Sequence, residues 1–146
     1  MFKKVDKVLA ALGNIKAMER LHVDTFTENK ISDIDGDKIA ESKEGQLYVV
    51  VEELNGYLFL ETVILSRINI KTFKGTTLTF YGVEDDFILN SDTKEIESDY
   101  SNVSNRFMTR ITFDITKEEI DRIKNRDYKQ VRFSFKKKSL TLNKVS

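Results

Sequence analysis

The sequence predicts an α+β fold that is mainly antiparallel β: a curved sheet or small β-barrel with an amphipathic N-terminal helix and a short helix before the C-terminal strand. Three observations predict it. Two apolar runs flank Asn55-Gly56, the preferred pair for a type I′ hairpin turn. Alternating strands recur on both sides of that hairpin, with no strand–helix–strand rhythm and no Gly-x-Gly-x-x-Gly turn. Helical periodicity is confined to the start of the chain and to the stretch after Ile115. The 146 residues suit one compact domain, 1–146. Its expected parts are a helix at 1–20 covering the sheet, antiparallel strands within 45–115, a helix at 116–127 and a C-terminal strand region at 128–143.

In the first segment, Phe2, Val5, Val8, Leu9, Leu12, Ile15 and Met18 recur at spacings of three and four. That spacing puts them on one stripe of a helix, with Lys3, Lys7 and Lys16 largely outside it. "LHVDTF" then reads as a strand, and no helix is expected before the acidic stretch Asp33-Ile34-Asp35-Gly36-Asp37.

The Asn55-Gly56 turn sets a register. Leu54 faces Tyr57, Glu52 faces Phe59, and Val50 faces Glu61. Side chains alternate between faces along each strand. One face therefore carries Leu47, Val49, Val51, Leu58, Leu60 and Ile64. The other carries Tyr48, Val50, Leu54, Tyr57, Phe59 and Val63, together with Glu52 and Glu61. Both faces are largely apolar, so both are expected to be at least partly covered.

In "RINIKTFKGTTLTFYG" a three-residue loop at Lys74-Gly75-Thr76 would place Thr72 opposite Leu78 and Ile70 opposite Phe80. That pairing yields one apolar face of Ile68, Ile70, Leu78 and Phe80. A short strand around Phe87-Ile88-Leu89 follows, and then a polar, turn-rich section through Asn105. "RFMTRITFDI" restores alternation through Phe107, Ile111, Phe113 and Ile115. Thr116 and Glu119 form a capping box, with Ile115 and Ile120 as its hydrophobic staple. "YKQVRFSF" puts Val131, Phe133 and Phe135 on one face, and "LTL" extends the sheet after a basic turn.

Charge and composition narrow the function. Twenty-four basic and 24 acidic residues give zero net charge, so no global attraction to nucleic acid is expected. Local balances differ: five basic to two acidic over 1–20, three to seven over 24–44, one to seven over 84–99, and nine to two over 121–146. The absence of Cys removes disulfides, thiol catalysis and thiolate metal sites, and fits a cytoplasmic protein. No apolar run reaches the ~20 residues that span a bilayer, and the N-terminus lacks the apolar core of a signal peptide.

Little in the chain announces chemistry. With Gly36 at position six of a calcium loop, Ile31 and Ser42 occupy positions one and twelve, where ligands are required. The stretch reads as an acidic turn, and no metal or cofactor is expected. Glu52 and Glu61 are diagonal neighbours on the aromatic face, an arrangement that could divide acid and base roles. His22 with Asp24 is a lone pair without further partners. No Gly-x-Ser-x-Gly, His-Glu-x-x-His or phosphate-binding loop occurs.

The leading expectation is a non-enzymatic binding or interaction module. Arg132 and Lys136 alternate away from Val131, Phe133 and Phe135, and Lys138 follows the turn. Arg106 and Arg110 alternate away from Phe107, Ile111 and Phe113. If the two strands pair, Arg106, Arg110, Arg132, Lys136 and Lys138 form one basic patch for a protein partner or a small anionic ligand. Nucleic acid fits less well, because Phe133 and Phe135 point inward and offer no stacking platform. Two alternatives belong to other classes. One is a small hydrolase-type enzyme centred on Glu52 and Glu61. The other is a structural subunit that oligomerises through the N-terminal helix and an open strand edge.

Overall fold

The computed structural model describes residues 25–145. The amphipathic segment 1–20 and the His22-x-Asp24 pair lie outside the described residues. The helical residues 25–32 form α1. There follow β1 (Asp37–Ser42), β2 (Gly45–Leu54), β3 (Tyr57–Ser66), β4 (Lys71–Thr72), β5 (Thr77–Tyr81), β6 (Phe87–Asn90), β7 (Ile96–Glu97), β8 (Asp99–Ser101) and β9 (Arg106–Asp114). Helix α2 (Lys117–Lys124), β10 (Gln130–Phe135) and β11 (Lys138–Lys144) complete the order. Nine strands form one antiparallel sheet in the order β6-β5-β10-β11-β1-β2-β3-β9-β8. The sheet curls into a half-barrel, and Ser91 beyond β6 bridges to Phe113 on β9. The α+β class with a curved antiparallel sheet is the one the sequence predicts.

The β2–β3 hairpin has the expected register: Leu54 opposite Tyr57, Glu52 opposite Phe59, and Val50 opposite Glu61. Asn55 and Gly56 turn it with φ of 53° and 84°. Both values are left-handed, as a type I′ turn requires. The inward face joins the main core, where Leu47, Leu60, Ile64, Leu78, Phe80, Phe113, Val131, Phe133 and Leu142 are fully buried. Helix α2 closes one end of this core through Ile120 and Ile123. The Thr116–Glu119 capping box is present in both directions, and its staple residues Ile115 and Ile120 are buried.

The outward face of β2, β3 and β9 is covered along half its length. Ile31 of α1 and Ile34 beyond it pack on Tyr48, Val63, Leu65 and Met108 as a second, smaller core. Here the structure corrects the sequence reading. Thr25 and Phe26, expected in a strand, are helical, and a helix does precede the acidic stretch. Thr27, Ile31 and Ile34 recur at helical spacing, but two of the three are separated by polar residues, which hid the period. The acidic stretch is the turn from α1 into β1. Gly36 has φ +102°, and a Cβ there would come within 2.5 Å of the Val49 carbonyl. Only glycine fits this position without backbone movement.

A second correction concerns residues 67–98. The Lys74-Gly75-Thr76 hairpin does not form. Instead β4 pairs with β7, Lys71 opposite Glu97 and Thr72 opposite Ile96. Gly75 N–H donates to the Lys94 carbonyl, and Thr76 N–H to Ser91 Oγ. Strand β5 lies between β6 and β10. The alternating pattern identified the inward side chains Ile70, Leu78 and Phe80, all fully buried, but not their strand partners. Pairing with the later segment also buries Ile96 against the same core, which a local hairpin would leave uncovered. The section through Asn105, expected to be turn-rich, contains β7 and β8.

Tyr128 joins the two ends of the described chain. Its ring meets Phe80 edge-on at 5.4 Å, and its hydroxyl donates to the Ile39 carbonyl at 3.0 Å. Burial pushes its phenol above its ordinary pKa, so it remains a donor at neutral pH. The Ile39 carbonyl also accepts from Val145 N–H, so Tyr128→Phe orphans no acceptor. The substitution should cost about 1 kcal/mol, the net worth of one hydrogen bond. Urea unfolding would measure that loss with an unchanged m-value.

Candidate functional site

The structure divides the five expected cations. Strands β9 and β10 do not pair; β11, β1, β2 and β3 lie between them in the sheet order. Arg106 is held by Glu28 of α1 at 3.8 Å and donates to Gln46. Glu28 in turn accepts from Ser101 Oγ at 2.6 Å and Ser104 Oγ at 2.7 Å. Arg106 therefore helps to latch α1 onto the β8–β9 turn. Arg110 lies elsewhere, among carboxylates. Arg132 sits outward on β10 between Thr79 and Thr141. Lys136 occupies the β10–β11 turn with φ 52°, and Lys138 stands opposite Phe135. All of the last three are exposed. They remain neighbours on one hairpin, apart from the two arginines.

Glu52 and Glu61 line one cavity of about 260 Å³ on the outward face. Asp33 and Asp35, from the turn after α1, share it, and so does Arg110. The hairpin register brings the two glutamates there, while α1 and Gly36 deliver the two aspartates. Both glutamates are exposed, so they lack the desolvated setting that paired-acid catalysis needs. Among the described residues, no group of three or more His, Asp or Glu side chains is placed to hold a metal ion. The acids share a cavity without converging on a point.

The sequence reading missed a larger cleft at the α2 end of the half-barrel. It measures about 770 Å³ and runs between β1, β2 and the end of α2. Ile39, Val49, Val51 and Ile123 supply an apolar wall. Lys124 and Arg126 line it from the α2 side, and Asp35, Asp37 and Lys38 from the β1 side. A shallower adjoining hollow shares Lys38 and Arg126 and adds Lys144. Lys38 is paired with Glu41 at 2.9 Å, which holds its ammonium pKa above the ordinary value. Lys124 and Arg126 carry charge on the α2 side.

Arg126 is unusual in its backbone. It follows the C-cap Asn125 with φ 57°, the left-handed position that most often holds glycine. Asp127 N–H donates to Arg122 O at 2.8 Å, closing the helix end. Left-handed backbone costs a residue with a Cβ about 1 kcal/mol. Its side chain donates to the Val145 carbonyl at 2.6 Å across the adjoining hollow. The only sequence signal was the basic excess over 121–146, which does not single out Arg126.

Arg122, by contrast, is spent on the fold. Its side chain pairs with Asp85 and Asp127, both at 3.2 Å, and lies 4.7 Å from the Phe87 ring centre. No helix of the described residues is long and apolar enough to cross a membrane. The chain matches no protein-family model, no curated protein and no solved structure.

The latch at Glu28 titrates. The Ser101 and Ser104 hydroxyls, with Arg106 beside them, hold its carboxyl below the ordinary value of 4.5. Such a group stabilises the fold above its unfolded pKa, and the contribution disappears as pH falls through the lower folded value. Glu28→Gln should therefore be less stable than the parent at neutral pH. The gap in urea midpoint should narrow as pH falls below the ordinary carboxylate value and through the lower folded one. A gap independent of pH would show that the carboxylate charge does not hold α1.

Proposed function

We propose that this chain is a non-enzymatic binding domain that takes a small amphipathic anion in the cleft at the α2 end of the half-barrel. The observation that carries the reading is the pairing of an apolar wall with Lys124 and Arg126 on the α2 side. Ligand sites are typically concave, mostly apolar, and oriented by a few polar groups, and barrel mouths are a common place for them. The cleft volume, about 770 Å³, lies within the range of roughly 300–1,000 Å³ usual for such sites. Asp35 and Asp37 on the β1 side favour a ligand whose charge is confined to one end.

The exposed cations of the β10–β11 hairpin give a second place for an anion. Arg132, Lys136 and Lys138 remain together there, exposed on one hairpin and outside the lining of the α2-end cleft. That hairpin suits a purely electrostatic partner, and the difference is measurable.

Octyl phosphate, octanol and inorganic phosphate would be titrated into the full chain by calorimetry. Octyl phosphate should bind, and each half-ligand should bind at least about tenfold more weakly, the equivalent of ~1.4 kcal/mol. Arg126→Gly should weaken octyl phosphate by about tenfold and change the unfolding midpoint little, since relief of the left-handed backbone offsets the lost bond to the Val145 carbonyl. Lys136→Glu with Lys138→Glu should leave binding unchanged. Loss of binding in that double variant, with Arg126→Gly unaffected, would move the site to the hairpin.

A further inference from the structure

We propose that the open half of the outward sheet face binds a basic amphipathic helix of a partner polypeptide, laid end to end with α1. The inference goes beyond the cleft and concerns the other side of the sheet. The face already accepts a helix: Ile31 of α1 and the following Ile34 cover Tyr48, Val63, Leu65 and Met108. The chain then turns away at Gly36 into β1. The apolar stripe does not stop where α1 stops. Toward the hairpin tip the same face carries Val50, Phe59, Tyr57 and Leu54, with Glu61 opposite Val50 and Glu52 opposite Phe59.

Among the described residues this continuation is open. Leu54 is 64% exposed and Tyr57 70% exposed, with the Tyr57 and Phe59 rings stacked 6.3 Å apart. From Val50 to Leu54 the strand covers about 14 Å at the usual rise. About nine residues of α-helix span the same distance, enough for anchors at i, i+3 or i+4, and i+7.

Charge selects the helix. Asp33, Asp35, Glu52 and Glu61 line the cavity beside the stripe. Asp114 stands opposite Phe59 on the same face. Five carboxylates thus lie among and beside these apolar side chains, with Arg110 as the cation of the cavity. A helix with an apolar stripe and Lys or Arg on its flanks complements this rim, and one with acidic flanks is repelled.

The test uses two fluorescein-labelled 18-residue peptides. Both carry leucine at helical spacing; the remaining positions are lysine in one and glutamate in the other. Fluorescence anisotropy would follow their binding to the full chain. The lysine peptide should bind saturably, and the glutamate peptide at least about tenfold more weakly. Tyr57→Ser should weaken the lysine peptide. Glu52→Lys with Glu61→Lys, both at exposed positions, should abolish the preference, because three carboxylates then face three cations. Circular dichroism would verify that the variants fold. The proposal is overturned if the lysine peptide does not saturate, if both peptides bind equally, or if the charge-reversed protein keeps its original preference. Peptide binding that appears only after residues 1–20 are removed would assign the face to the chain's own N-terminal segment. Concentration-dependent dimerisation abolished by Tyr57→Ser would assign it to a second copy. Either outcome overturns a separate partner.

Discussion

Asn55 and Gly56 can both occupy left-handed backbone, and this small allowance sets the register of the two longest strands. A slip of one residue would exchange every side chain of β2 or β3 between faces. Leu47, Leu60 and Ile64 would leave the main core, and Glu52 or Glu61 would enter it. Because both faces are apolar, the register also determines what must cover each one. The inward set is covered by the sheet's own curvature and by α2. Part of the outward set is covered by α1. The half-barrel and the helix are two responses to the same hairpin.

The register also places the charges. Glu52 and Glu61 share the outward face, and α1 ends where its turn can add Asp33 and Asp35 to them. The cations at the end of α2 line the cleft that β1 and β2 share. Lys and Arg near a helix C-terminus complement the partial negative charge of the exposed carbonyls, so Arg122 and Lys124 are well placed on local grounds. Arg126 lies just beyond the helix, and its position costs backbone energy rather than relieving it. This separates it from its basic neighbours: Arg122 has three fold-building contacts, and Arg126 has one carbonyl partner at the edge of a cleft.

Much of the architecture was legible because long elements carry periodic information. The β2–β3 register, the inward faces of β9 and β10, and the Thr116 cap follow from spacing alone. Strands of two or three residues carry no period, so β4, β7 and β8 could not be read as such. Ile70, Leu78 and Phe80 were recognised as inward residues, yet their alternation is equally compatible with a local hairpin and with the observed long-range pairing. The candidate sites were less legible. Glu52 and Glu61 were singled out from one hairpin, but the aspartates beside them come from a turn whose position depends on α1. The basic patch assumed that β9 and β10 are neighbours. Phase along a strand is local, whereas the order of strands in a sheet is set by the whole chain.

Asp35 ties the two proposed surfaces together, since it lines both the outward cavity and the α2-end cleft. It sits one residue before Gly36, whose close approach to Val49 leaves little room for the turn to shift. Asp35 therefore stands between an acidic face that favours a basic helix and a cleft whose cations favour an anion. Its charge strengthens the first and opposes the second. Two ligands of opposite sign bound on either side would both meet its charge.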